Sequence, residues 1–116
     1  MGTSSTLSKA SIELSVQAVA YYKWLVYARK ESILSKQLLR SATSIGANIH
    51  EAYCAASKAD FINKMQIALK EASETEYWLI VLERTGYFDE KFASVKSYTN
   101  ELKRMLTATL NTAKTN

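Results

Sequence analysis

The chain has no proline, three glycines and one cysteine in 116 residues. With glycine confined to Gly2, Gly46 and Gly86, it lacks the turn punctuation that a sandwich or barrel of short strands requires. The lone Cys54 excludes an internal disulfide and fits a reducing compartment, so a cytoplasmic location is expected. No apolar run reaches the roughly 20 residues a membrane-spanning helix needs. The most apolar window, Val16 to Ala28, is interrupted by Gln17 and Lys23. The opening residues, MGTSSTLSKASIEL, carry no basic cap leading into a continuous apolar run, so no signal peptide is expected. What is plentiful (Ala, Leu, Lys, Glu and Ser) favours long helices in a single domain, 1–116, large enough to bury a core without metal or disulfide.

Hydrophobic spacing divides that domain into four helices, at about 7–29, 32–55, 58–85 and 89–112. In the first, Leu14, Ala18, Tyr21, Leu25 and Ala28 recur at intervals of three and four. Ile12, Val16, Val19 and Val26 add a second stripe, widened by Tyr22, Trp24 and Tyr27, so this helix is expected to be covered on more than one side. Ser8, or a neighbouring Ser or Thr, is the expected cap of this first helix, and Ser32 of the second, whose inward stripe is Leu34, Leu38, Ala42, Ile45, Ile49 and Ala52. Gly46 inside it costs about 1 kcal/mol against alanine, which close approach of another helix would offset. Ser57 followed by Asp60 imitates a capping box for the third helix, whose stripe is Phe61, Met65, Ala68, Ala72, Thr75, Leu79 and Leu82. Gly86 stands where a left-handed terminator belongs. Asp89 is placed to cap the fourth helix, with Phe92, Val95, Leu102, Leu106 and Leu110 facing inward and the final TAKTN expected to fray. Short loops between long helices make antiparallel neighbours, so the expected fold is an all-α, up-down-up-down four-helix bundle.

Charge is segregated along the chain. Residues 1–50 carry a net +4, residues 51–90 a net −4 and residues 91–116 a net +4. Pairing across neighbouring helices is one reading, and a basic surface that attracts polyanions is the other. For the second, the candidate nucleic-acid contacts are Lys23 and Lys30 on the first helix with Lys96, Lys103 and Arg104 on the fourth. As bundle neighbours these two helices would merge the rows into one strip. A different set of polar residues lies beside the core stripes of helices two and three: Arg40, Ser44, Asn48, Glu51, Glu71, Glu74 and Glu76. Unpaired buried polar groups cost about 1–3 kcal/mol, so such residues point to a packing and assembly network. They do not suggest catalysis, because no nucleophile, histidine base or phosphate-binding glycine loop accompanies them. His50 and Glu51 are adjacent and point about 100° apart on a helix. The Glu-x-x-His signature of di-iron bundles is absent. No catalytic residue, metal site or cofactor is expected, and Cys54, with His50 four residues before it, is expected to be an ordinary small residue.

The segments QLLRSATSIGANIHEA, SKADF and IALKEASETEYWL, with the aromatic pair after Gly86, resemble the four-helix-bundle family first recognised in proteins encoded by intervening sequences of 23S ribosomal RNA genes. The likeness covers roughly residues 12–110, and Arg40, Ser44, Asn48, Glu51, Phe61, Ala68, Glu74 and Glu76 fit its pattern. It implies a homo-oligomer, with a pentamer favoured, and no enzymatic activity. A similar pentameric bundle is the accessory protein of diversity-generating retroelements, which works with a reverse transcriptase and nucleic acid. The resemblance therefore implies RNA or DNA as a ligand, or a protein partner such as a reverse transcriptase. No membrane partner is expected, because no apolar run is long enough to span one.

Overall fold

In the computed structural model, which describes residues 2–115 with side chains over 6–115, four helices pack as an antiparallel bundle measuring 46 × 22 × 20 Å. They are α1 (Gly2–Tyr27), α2 (Leu34–Tyr53), α3 (Lys58–Arg84) and α4 (Ala93–Thr115). Each packs on its sequence neighbours and α1 closes against α4, so α1 and α3 lie diagonally across the bundle. The core is the sum of the four expected stripes: Leu14, Ala18, Tyr21 and Leu25 from α1; Leu38, Ala42, Ile45 and Ile49 from α2; Met65, Ala68, Ala72 and Leu82 from α3; Val95, Leu102 and Leu106 from α4, all with no exposed surface. Met1 and Asn116, the limits of the expected domain, lie outside the described residues. The helix extends to Thr115, so the described part of TAKTN does not fray.

The expected close approach at Gly46 is real. A Cβ there would sit 3.2 Å from Oγ of Ser11, so the missing side chain lets α1 lie against α2. The ends of α3 also match their sequence signals. Ser57 Oγ accepts from the Asp60 amide at 3.1 Å. Gly86 takes φ +86°, while the amides of Gly86 and Tyr87 return to the carbonyls of Glu83 and Leu82. Asp89 accepts from the Lys91 amide at 3.0 Å and starts a single 3-10 turn, Glu90–Phe92, that leads into α4.

The α1–α2 corner differs from expectation. Helix α1 begins at Gly2, before Ser8, and stops at Tyr27, so Ala28 is exposed beyond its end. Helix α2 is not capped by Ser32. The carboxylate of Glu31 takes the amides of Ile33 (3.1 Å), Leu34 (2.9 Å) and Ser35 (2.7 Å), and Ser35 Oγ donates back to the Glu31 carbonyl at 2.9 Å. A longer side chain, set further back, does the work of a serine hydroxyl because the chain reverses sharply before it. That reversal puts Lys30 at φ 59°, a conformation costing a residue with a Cβ about 1–2 kcal/mol. Lys30→Gly is therefore expected to stabilise the fold by about 1 kcal/mol, less the extra entropy glycine loses on folding. A higher urea midpoint with an unchanged slope would show it.

Candidate functional site

The polar residues singled out along α2 and α3 do not converge on one pocket. Arg40 binds Glu71 at 3.3 Å and also Glu74, whose Oε2 accepts from Trp78 Nε1 at 3.1 Å. The Arg40 guanidinium, with help from the Trp78 indole, holds the Glu74 carboxyl below the usual carboxylate range, and the two carboxylates raise Arg40 in turn. The Arg40 side chain is 48% exposed, so this is a solvated clamp of about 1 kcal/mol or less per pair. Beneath it, Ser41 and Thr75 are fully buried and joined by a hydroxyl–hydroxyl bond of 2.9 Å. Ser44 and Asn48 bond only to their own helix, donating to the carbonyls of Arg40 and Ser44. Glu51 pairs with Lys64 at 3.2 Å. Glu76 faces α4 instead. Each of these carboxylates is paired with a cation on a neighbouring helix, an arrangement suited to fixing helix register.

The basic candidates divide between two faces. Lys96 and Lys103 turn toward α3 and pair with Glu83 (2.6 Å) and Glu76 (2.7 Å). Both couples are spaced by seven residues on both antiparallel helices, so one register satisfies the two together. They flank a shallow groove of about 210 Å³ that also includes Ile80, Thr99 and Asn100. Lys23 stays exposed on the outer face of α1, Lys30 lies past the helix end, and Arg104 is exposed on α4, none of them in an ion pair among the described residues. Lys96 and Lys103 thus face α3, which lies diagonally across the bundle from α1, the helix that bears Lys23.

The aromatic pair after Gly86, which the sequence suggests folds back to close the bundle end, does so in a cluster at the α1–α2 and α3–α4 connections whose cations the sequence does not point to. Tyr21 is fully buried, stacks on Phe92 with centroids 4.8 Å apart, meets Phe88 edge-on at 6.2 Å and donates to the Tyr87 carbonyl at 2.7 Å. Trp24 packs on the same Phe92 at 5.3 Å. Cations cover the outer rings: Arg29 lies 5.4 Å from the Trp24 centroid and 4.9 Å from Tyr87, while Lys91 lies 5.1 Å from Trp24. The available sequence signal was the placement of Arg29 and Lys91 beside aromatic residues near two chain reversals.

Two apolar patches remain uncovered. On α1, Ile12, Val16 and Val19 are 61%, 55% and 37% exposed, which is the second stripe noted in the sequence. On α3, Tyr77 and Ile80 are 57% and 47% exposed. His50 and Cys54 are both at the surface, and among the described residues no group of three or more His, Cys, Asp or Glu side chains is placed to hold a metal ion. None of the described helices is long and apolar enough to cross a membrane.

The sequence profile of the 23S rRNA-intervening sequence proteins matches residues 4–108. Among solved structures, the chain is similar to a protein of unknown function from the S23 ribosomal protein family of Bacteroides thetaiotaomicron. The two share 49% identity over 93% of this chain and 97% of that one, with a TM-score of 0.90. No curated protein matches the chain.

Proposed function

Because the chain belongs to the 23S rRNA-intervening sequence protein family, we propose that it is a non-enzymatic, self-associating four-helix bundle of the cytoplasm that binds RNA or other nucleic acid. The observation that carries this reading is the pair of exposed apolar patches, Ile12, Val16 and Val19 on α1 and Tyr77 with Ile80 on α3. Because α1 and α3 are diagonal, the patches lie on opposite flanks of the bundle. A twofold dimer that paired either patch with itself would leave the other wet. Head-to-tail contact, α1 of one copy against α3 of the next, covers both, and such heterologous contacts close into a ring when the rotation between successive copies divides the full turn. A ring of five is the size favoured by likeness to the family. It would repeat the exposed cations of each copy around one assembly, giving a polyanion-binding surface that a single bundle with a net charge of +4 presents only weakly. A scaffold for a protein partner is the second reading, favoured by the same apolar patches.

Light scattering at micromolar concentration is expected to give a multiple of the 13.0 kDa chain mass. Val16→Asp or Ile80→Asp should each reduce that mass to a monomer with helicity retained, since both positions are solvent-facing in the single chain. A parent protein that scatters as a monomer would end the assembly reading. Nucleic-acid affinity, measured by anisotropy, should fall steeply with salt as phosphate contacts release counterions. Capture of a protein and no affinity for any nucleic acid at low salt would favour the scaffold instead.

A further inference from the structure

The nucleic-acid reading above leaves open where a strand would lie, and the geometry points to the aromatic end of the bundle: we propose that single-stranded nucleic acid is held there, with phosphates on Arg29 and Lys91 and a base on the exposed ring of Tyr27. Three features of that end support the assignment. First, the cations are in place and unneutralised. Arg29 and Lys91 both lie within 5.4 Å of the Trp24 centroid, so one ring gathers two positive charges, and neither is in an ion pair among the described residues. Lys96 and Lys103, in contrast, are engaged by Glu83 and Glu76. A guanidinium resting on an aromatic face keeps its N–H edges free for phosphate, and the ring fixes its position, so less freedom is lost on binding. Trp24 is itself fixed by Phe92 at 5.3 Å and Tyr21 at 6.2 Å.

Second, the nearby acids are largely committed. Glu31 is held by three backbone amides, Asp89 by the Lys91 amide and Glu83 by Lys96. Of the exposed acids Glu83, Asp89 and Glu90, Glu90 alone has no side-chain partner among the described residues. Third, Tyr27 is 73% exposed, three residues beyond Trp24 and four beyond the exposed Lys23, so ring and cation share one face of the last turns of α1. An aromatic surface flanked by cations suits unpaired bases on a charged backbone, whereas a duplex hides its base faces. The hollow at the opposite end of the bundle, lined by Leu7, Tyr53, Phe61 and Met105, offers no charged group to a phosphate.

The test is fluorescence anisotropy of a labelled single-stranded oligoribonucleotide, and of a duplex of the same sequence, titrated with the full-length protein over a range of salt concentrations. Arg29→Gln/Lys91→Gln should weaken single-strand binding and lower the slope of log affinity against log salt by about two. Tyr27→Ala should weaken the single strand by roughly ten- to a hundredfold, as loss of one stacked base does, and leave the duplex little changed. Lys58→Gln/Lys114→Gln removes the same charge at the opposite end and should change neither slope nor affinity by as much. All of these positions are exposed, and thermal melts will show whether each variant keeps the parent fold. Equal weakening by the two double variants, tighter binding of the duplex than of the single strand, or an unchanged Arg29→Gln/Lys91→Gln protein would overturn this site while leaving nucleic-acid binding itself intact. No binding by the parent protein to either probe would remove the broader nucleic-acid reading as well.

Discussion

Replacing Tyr21 by alanine is expected to destabilise the protein by about 3–5 kcal/mol, a large share of the stability of a domain this size. The ring has no exposed surface and joins three parts of the chain. It stacks on Phe92 at the start of the last helix, meets Phe88 edge-on, and its hydroxyl donates to the Tyr87 carbonyl at 2.7 Å. Truncation would open a cavity at the end of the bundle where the α3–α4 connection folds over the core. Tyr21→Phe keeps the ring and removes only the donor, leaving the Tyr87 carbonyl short of a partner, for about 1–2 kcal/mol. Burial first, and then the charge of Glu83, pushes the phenol above its ordinary value, so it stays a protonated donor at alkaline pH. Urea unfolding of the two variants separates ring from hydroxyl. A Tyr21→Phe protein as stable as the parent would show that the hydrogen bond contributes nothing net.

The second large effect is expected at Glu31. Its carboxylate gathers three of the amides that the start of α2 leaves without helical partners. Glu31→Ala should cost about 2–3 kcal/mol, at the upper end for a helix cap because the acceptor is charged and buried. That corresponds to a fall in Tm on the order of 10 °C. Burial by itself would raise this carboxyl, but the amides of Leu34, Ser35 and Ile33 outweigh it, and the net direction is down. The sign of the pH dependence follows. A group whose folded value is depressed stabilises the fold above the ordinary carboxylate range, and that contribution is lost as pH falls through the depressed folded value. Acid unfolding followed by circular dichroism should therefore be steeper in the parent than in Glu31→Gln. Equal slopes would mean that the carboxylate is not the acceptor the geometry makes it.

The same corner explains why some of the fold was legible in the residues and some was not. Periodicity predicted the four inward stripes because packing depends on where apolar side chains recur, and Ser57, Asp89 and Gly86 act through rules local to a few residues. Gly46 could be assigned a close approach for the same reason, although its partner, Ser11, could not be named. The sequence points to Ser32 as the cap of α2, and Glu31 takes that role because a reversal places Lys30 in a left-handed conformation, which nothing in the identity of a lysine signals. Contacts between helices were harder still. That Arg40 meets Glu71 and Glu74, or that Lys96 and Lys103 face α3, depends on the rotation of whole helices about their axes. Neither charge nor spacing along one helix determines that rotation. The Arg29 and Lys91 cluster escaped notice because its residues come from two connections that only the closed bundle brings together.

The cross-helix bonds are unevenly shared, and this has a mechanical consequence. Helices α2 and α3 are keyed together by the buried Ser41–Thr75 hydroxyl pair, by Arg40 with its two carboxylates, and by Glu51 with Lys64. Helices α3 and α4 are keyed by two lysine–glutamate pairs. A slip of one helical turn would separate Ser41 from Thr75 and Glu51 from Lys64 at the first seam, or both lysine–glutamate pairs at the second. Arg40, whose two carboxylates lie one turn apart, could hold one of them. Among the described residues, helix α1 has no side-chain hydrogen bond or ion pair to α2 and one side-chain hydrogen bond to α4, Ser94 to Gln17. The Tyr21 hydroxyl ties it to the Tyr87 carbonyl, and the rest of its seat is chiefly apolar contact. Polar side-chain bonds thus tie α2 to α3 and α3 to α4, while α1 is held chiefly by packing, including the notch of Ser11 against Gly46 and the buried ring of Tyr21. That helix bears the apolar stripe Ile12–Val16–Val19, so a neighbour that covers this stripe engages the element with the fewest polar ties to the rest of the bundle among the described residues.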